Sequence, residues 1–136
     1  MKKKVIMKAA RTDGGYCCAC DIIPGWIVAY TGDLDGFKAY VQESVDFWLE
    51  GRKEKGEPYP DVFDGEYELA YDFDIATLLD YYRGVFSFSA LQTITGINQK
   101  QLAHYASGIS KPRARQAEKI KAGLRNLARD IETVTL

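Results

Sequence analysis

After Asp74 the apolar residues of this chain recur every three or four positions. Before it, stretches of period two surround a single helical stretch. Side chains alternate across a strand but return to one face of a helix every 3.6 residues. The break therefore predicts two folding units of different kinds: residues 1–74 as an α+β unit and residues 75–136 as an all-α unit. The chain has 136 residues, 46% of them apolar, enough to give each unit a small core.

In the first half, Lys4–Ala9 reads as a strand, Asp13-Gly14-Gly15 as a turn and Tyr16–Cys20 as a second strand, together a hairpin. Pro24-Gly25 marks another turn before the β-rich run Trp26–Thr31, which completes a three-strand meander. From Asp33, an N-cap residue type, Phe37, Val41, Ser44, Val45 and Trp48 follow helical spacing, so a helix should lay its aromatic stripe on the sheet. Gly36 weakens its first turn, and Gly51 or Gly56 ends it. Gly56-Glu57-Pro58-Tyr59-Pro60 is a stiff connector, and Tyr67–Phe73 alternates as a half-buried strand. This fourth strand is expected to extend the meander, giving βββαβ.

The second half reads as four helices. Asp74 caps Ile75–Arg83, Ser87 or Ser89 caps a short helix to about Thr95, Asn98 opens one that stops at Gly108, and a long helix spans about Arg113 to Thr133. On the last of these, Ala117, Ile120, Leu124, Leu127, Ala128 and Ile131 are expected to form the inner stripe.

Three cysteines, Cys17, Cys18 and Cys20, are too crowded and odd in number for a secreted disulfide framework. The only histidine, His104, is distant and there is no C-x-x-C pair, so a metal site is disfavoured and small buried apolar residues are the better reading. No apolar run approaches the roughly 20 residues of a bilayer span. Lys8 and Arg11 interrupt the N-terminal apolar stretch, so no signal peptide is expected and the protein is placed in the cytoplasm, away from membranes. No cofactor is implied.

The net charge of −1 conceals a separation. Residues 13–80 hold sixteen acids and four bases, −12, whereas residues 100–129 hold eight bases and one acid, +7. The split suits two partners, one basic and one polyanionic; the alternative is two solvated faces.

The basic region contains T-G-I-N-Q-K-Q-L-A-H-Y-A-S-G-I-S-K-P-R, residues 95–113. Gly96 suits a tight turn between helices, and Asn98 can cap the next helix with Gln101 bonding back as in a capping box. Leu91, Ile94, Ile97, Leu102 and Ala106 would face inward, leaving Gln99, Lys100, Ala103, His104 and Ser107 outward. Gln suits adenine, Lys suits guanine acceptors, and Ala leaves room for a thymine methyl. Lys111, Arg113 and Arg115 can grip phosphates. The candidate DNA-binding set is therefore Asn98, Gln99, Lys100, Ala103, His104, Ser107, Lys111, Arg113 and Arg115. Individually, Asn98 and Gln101 could serve only as caps and His104 as a surface histidine.

Residues 91–103, L-Q-T-I-T-G-I-N-Q-K-Q-L-A, resemble the helix-turn-helix of the Cro/repressor-like family, with Gln92 where that family usually carries alanine. Asp13-Gly14-Gly15-Tyr16, Asp21-Ile22-Ile23-Pro24-Gly25, Gly32-Asp33, Trp48-Leu49 and Gly56-Glu57-Pro58-Tyr59-Pro60 resemble the HicB family of antitoxins. Trp26 stands in place of that family's usual cysteine. The resemblance implies a partial ribonuclease-H-like first domain that masks a small basic HicA-type RNA-cleaving toxin. It also implies a second domain that represses the shared operon by binding operator DNA, as a homodimer or higher even oligomer. Asp21, on a turn, is the one toxin-facing residue suggested. A free-standing regulator with a ligand- or protein-sensing first domain is the alternative, and a metal-dependent nuclease a third. The acids do not gather on adjacent strand centres as two-metal chemistry needs, so no enzymatic activity is expected.

Overall fold

The computed structural model describes residues 2–136. The chain divides between Phe73 and Asp74 into two compact units, the first mixed α+β and the second all-helical.

The first unit contains β1 (Lys3–Thr12), β2 (Gly15–Ala19), β3 (Ile27–Thr31), α1 (Leu34–Lys55) and β4 (Tyr67–Phe73), with a 3₁₀ turn at Asp61–Asp64. The sheet order is β3-β2-β1-β4. The first three strands form the antiparallel meander, with Ala9 opposite Cys18 and Cys18 opposite Val28. β4 does not extend it. It crosses to the other edge and runs parallel to β1, with Val5 opposite Leu69 and Met7 opposite Tyr71. Alternation specifies which side chains of a strand face the core, not which edge the strand joins, and a helix such as α1 is the usual connection to a parallel strand.

Alternation in β1 buries Val5, Met7 and Ala9 and exposes Lys4, Ile6 and Lys8. Phe37, Val41 and Val45 of α1 are fully buried in the same core. The Phe37 ring lies 5.2 Å from Tyr16 and 5.9 Å from Tyr71. Each such side chain contributes about 1.5–3 kcal/mol by leaving water. Asp33 caps α1, its Oδ1 accepting from the Gly36 N–H at 2.8 Å. Gly36 is there for room: a Cβ would run into the Tyr30 hydroxyl. Gly51 passes within the helix, and Gly56, at φ 66°, ends it.

Cys18 and Cys20 are buried and Cys17 is half-buried. Burial pushes the Cys18 thiol up to about 12 and raises that of Cys20, so both stay protonated at neutral pH. Among the described residues, no cluster of three or more His, Cys, Asp or Glu could hold a metal.

The second unit holds α2 (Ile75–Tyr82), α3 (Phe88–Thr95), α4 (Gln99–Ser107) and α5 (Ala114–Glu132). Its core is Ile75, Leu79, Leu91, Ile97, Leu102, Tyr105, Ala106 and Ile120, with Leu78, Ile94, Ala117 and Leu124 packed against it. The inner stripe expected on α5 is shorter than its spacing suggests. Ile120 is fully buried, but Ala128 is exposed and Ile131 is 48% exposed. No described helix is long and apolar enough to cross a membrane.

Candidate nucleic-acid interface

α3 and α4 meet at a turn fixed by small, local bonds. Ser87 Oγ caps α3 by accepting from the Ala90 N–H at 3.0 Å. At the other end, the buried Thr95 hydroxyl donates to the Leu91 carbonyl at 2.7 Å and accepts from the Ile97 N–H at 3.2 Å. Gly96 follows at φ 75°, a left-handed conformation that a side chain would strain. Lys119 Nζ donates to the Gly96 carbonyl at 3.4 Å, tying α5 to the turn.

The start of α4 is capped twice. Asn98 Oδ1 accepts from the Lys100 N–H at 2.9 Å, and Gln92 Oε1 accepts from the Gln99 N–H at 2.8 Å. The first bond is the expected cap. The second replaces the expected capping box, because Gln101 Nε2 instead donates to Ser110 Oγ at 3.1 Å. Gln92, one residue past buried Leu91, points outward and reaches across the turn to a backbone N–H that would otherwise lack a partner. Sequence pattern offered no sign of this seven-residue reach.

With its N-terminus held, α4 turns Leu102, Tyr105 and Ala106 into the core. Tyr105 is an inward residue that the apolar pattern missed, because a tyrosine serves either face. Asn98, Gln99, Lys100, His104 and Ser107 are exposed, and Ala103 is half-buried between them. Ser107 Oγ donates to the His104 carbonyl at 3.2 Å, so its hydrogen is already used locally. Gly108, at φ 81°, ends α4. Lys111, Arg113 and Arg115 follow, all exposed. Among the described residues, no acid is paired with Lys100, Lys111, Arg113 or Arg115; ion pairs elsewhere in this unit include Arg125 with Glu118 and Arg83 with Asp80. Arg113 is itself the N-cap of α5, and the first turn of that helix carries no acid. Arginine at a helix N-terminus leaves both the dipole and the side-chain charge positive, which an external anion offsets.

The first unit has the opposite character. Asp21 lies on the turn after β2, exposed, with Oδ2 at 2.9 Å from Lys8 Nζ. That pairing holds the Lys8 ammonium above its usual range, and because both side chains are largely exposed it is a weak restraint. Three of the four bases in the acidic span lie over aromatic rings: Lys38 over Tyr71, Arg52 over Trp48 and Lys53 over Tyr59. Arg52 also meets Glu57 at 2.8 Å. Among the described residues, Glu57 is the one carboxylate along α1 and the connector held in an ion pair.

The chain matches no family model, no curated protein and no solved structure.

Proposed function

We propose that this protein is an antitoxin that masks a small, basic, RNA-cleaving toxin of the HicA type and represses its own operon by binding operator DNA. On this reading α3 and α4 are a helix-turn-helix, with α4 in the major groove. Gln99, Lys100, Ala103 and His104 read base edges, while Lys111, Arg113 and Arg115 hold phosphates. The observation that carries it is the division of α4: Leu102, Tyr105 and Ala106 inward, Gln99, Lys100 and His104 outward, beside four cations, Lys100, Lys111, Arg113 and Arg115, that no acid pairs among the described residues. A helix packed on both faces could not enter a groove.

The toxin-covering role belongs to the first unit, read as a partial ribonuclease-H-like domain without catalysis. Its support is the HicB-like pattern of residues and the carboxylates that the aromatic-held cations leave exposed. A toxin that binds RNA presents a basic surface, and an acidic cover meets it quickly through electrostatic steering.

A gel shift on the promoter upstream of this gene, with and without the product of the adjacent small reading frame, tests both halves. The expected result is a specific shift by the full chain and, separately, rescue of growth when the neighbour is co-expressed. A specific shift without any toxic neighbour leaves a free-standing regulator. No shift on any duplex removes the operator-binding half.

A further inference from the structure

The two edges of the first unit's sheet are finished differently. β4, at one edge, carries the charged side chains Glu68 and Asp72. β3, at the other, reads I-V-A-Y-T, without the charge, proline or bulge that usually keeps an edge from pairing. The Gly32 N–H donates to the Gly14 carbonyl at 2.9 Å, and alternation from there turns the amides of Tyr30 and Val28 toward β2. Those of Ile27, Ala29 and Thr31 point away from the sheet, and among the described residues no loop bonds to them. Beside the edge, between β3 and α1, lies a groove of about 410 Å³ lined by Trp26, Val28, Glu43, Ser44, Phe47 and Trp48. Pockets that take organic groups hold roughly 300–1,000 Å³. Trp26, Val28 and Trp48 back the groove from the core, whereas Phe47 stands 79% exposed, and Ile27, on the other face of β3, is 73% exposed.

We infer that the open edge of β3, with this groove beside it, takes up an extended segment of a basic partner protein as a further strand of the sheet. Strand addition supplies backbone bonds to Ile27, Ala29 and Thr31, and every second side chain of the incoming segment enters the groove against Phe47 and Trp48. The side chains between them lie beside Ile27 and Ala29, on the sheet face away from α1. Charge selects the occupant. Residues 20–50, which include β3 and most of α1, hold Asp21, Asp33, Asp35, Glu43, Asp46 and Glu50 against Lys38 alone. Lys38 lies over Tyr71 of β4, at the opposite edge of the sheet, so it does not offset Glu43 on the groove rim. A second copy would set these acids against one another, whereas a basic segment meets them favourably. The inference deepens the reading of the first unit as the cover of a basic protein. It rests on that reading for the source of the strand, and adds where the partner joins and in what conformation.

Amide hydrogen exchange of the full chain, read residue by residue by NMR, tests it with two probes. One is a short capped peptide alternating Lys and Val, and the other is the product of the adjacent small reading frame. At saturation each should slow exchange at Ala29 and Thr31 by about tenfold or more, and a peptide with Glu in place of Lys should not. Ala29→Pro removes one outward N–H at an edge position that tolerates proline, and Phe47→Asp puts a charge on the groove wall. Circular dichroism should show both variants folded, and each should raise the dissociation constant about tenfold or more. If neither probe slows these amides, or the Glu peptide binds as well as the Lys one, the inference falls. A neighbouring product that binds without protecting Ala29 also overturns it, and leaves the cover reading standing. Protection by the Lys–Val peptide alone, with no complex formed by the neighbour, upholds the edge and removes the toxin reading instead. Protection that grows with the concentration of the chain by itself assigns the edge to a second copy and overturns the inference.

Discussion

α1 and α5 carry similar sequence signatures and have different fates. In α1, Leu34, Phe37, Val41, Val45 and Leu49 are all buried, in one unbroken line against the sheet. In α5 the series Ala117, Ile120, Leu124, Leu127 and Ile131 has as many positions and is as regular, yet only Ile120 is buried. The helix ends differ too. Asp33 and Gly56 close α1 at its ends, whereas α5 begins at Arg113 with no side-chain cap. Periodicity shows that a helix has an apolar face; it does not say whether the protein itself covers that face. A helix buried along its whole length has its partner inside the chain, whereas one buried along part of its length leaves apolar surface in water.

The largest contrast is in stability. Phe37→Ala should lower the unfolding free energy of the first unit by about 3–5 kcal/mol, since it removes a ring packed between two others. Ile131→Ala should change the second unit by less than about 0.5 kcal/mol. Urea unfolding reads both, and equal losses would erase the distinction. Next come the outward residues of α4. Gln99→Ala and Lys100→Ala should each cost about 1–3 kcal/mol at the operator and relax base choice, with melting temperatures unchanged. If both repress as wild type does, α4 is not the reading helix. Gln92→Ala removes the second cap on α4 and should cost about 1 kcal/mol of stability, visible as faster amide exchange at Gln99. Unchanged exchange would show that Asn98 alone holds that end. Arg113→Ala should weaken all duplexes alike and reduce the slope of log affinity against log salt by about 1.

The smallest effect is one of pH. The Cys18 and Tyr71 side chains are each raised to about 12 by burial, so the folded state favours their neutral forms. Their contribution is complete below the ordinary thiol value of 9 and is lost as pH climbs from there toward 12. Stability should be flat through neutrality and fall in alkali. Thiol labelling of the folded chain at pH 8 should reach Cys17 before Cys18; the reverse order would contradict the burial.

The elements were largely legible. The alternation from Tyr67 to Phe73 gives β4 its observed bounds, and Asp33, Ser87 and Asn98 all cap the helices they precede. What escaped depends on distant partners. The parallel pairing of β4 with β1 joins segments some sixty residues apart in the chain, beyond any local signal. The capping box failed because Gln92 reached the start of α4 while Gln101 turned to Ser110. The spacing places Ile131 inward and the structure leaves it exposed, because nothing in a heptad states where the supporting core stops. Within the candidate interface, the outward set followed from spacing, and the bonds that aim it did not.

Those bonds have a consequence for how the molecule can change. The angle between α3 and α4 is set by Gln92, Thr95, Gly96 and Asn98, with Lys119 behind them. Gln99, Lys100 and His104 contribute no side-chain bond to that frame among the described residues. Their identities can drift, or be randomised in a library, without a folding penalty to filter the variants. Asn98 is the exception: its side chain is tied into the scaffold, so changing it disturbs the start of α4 itself.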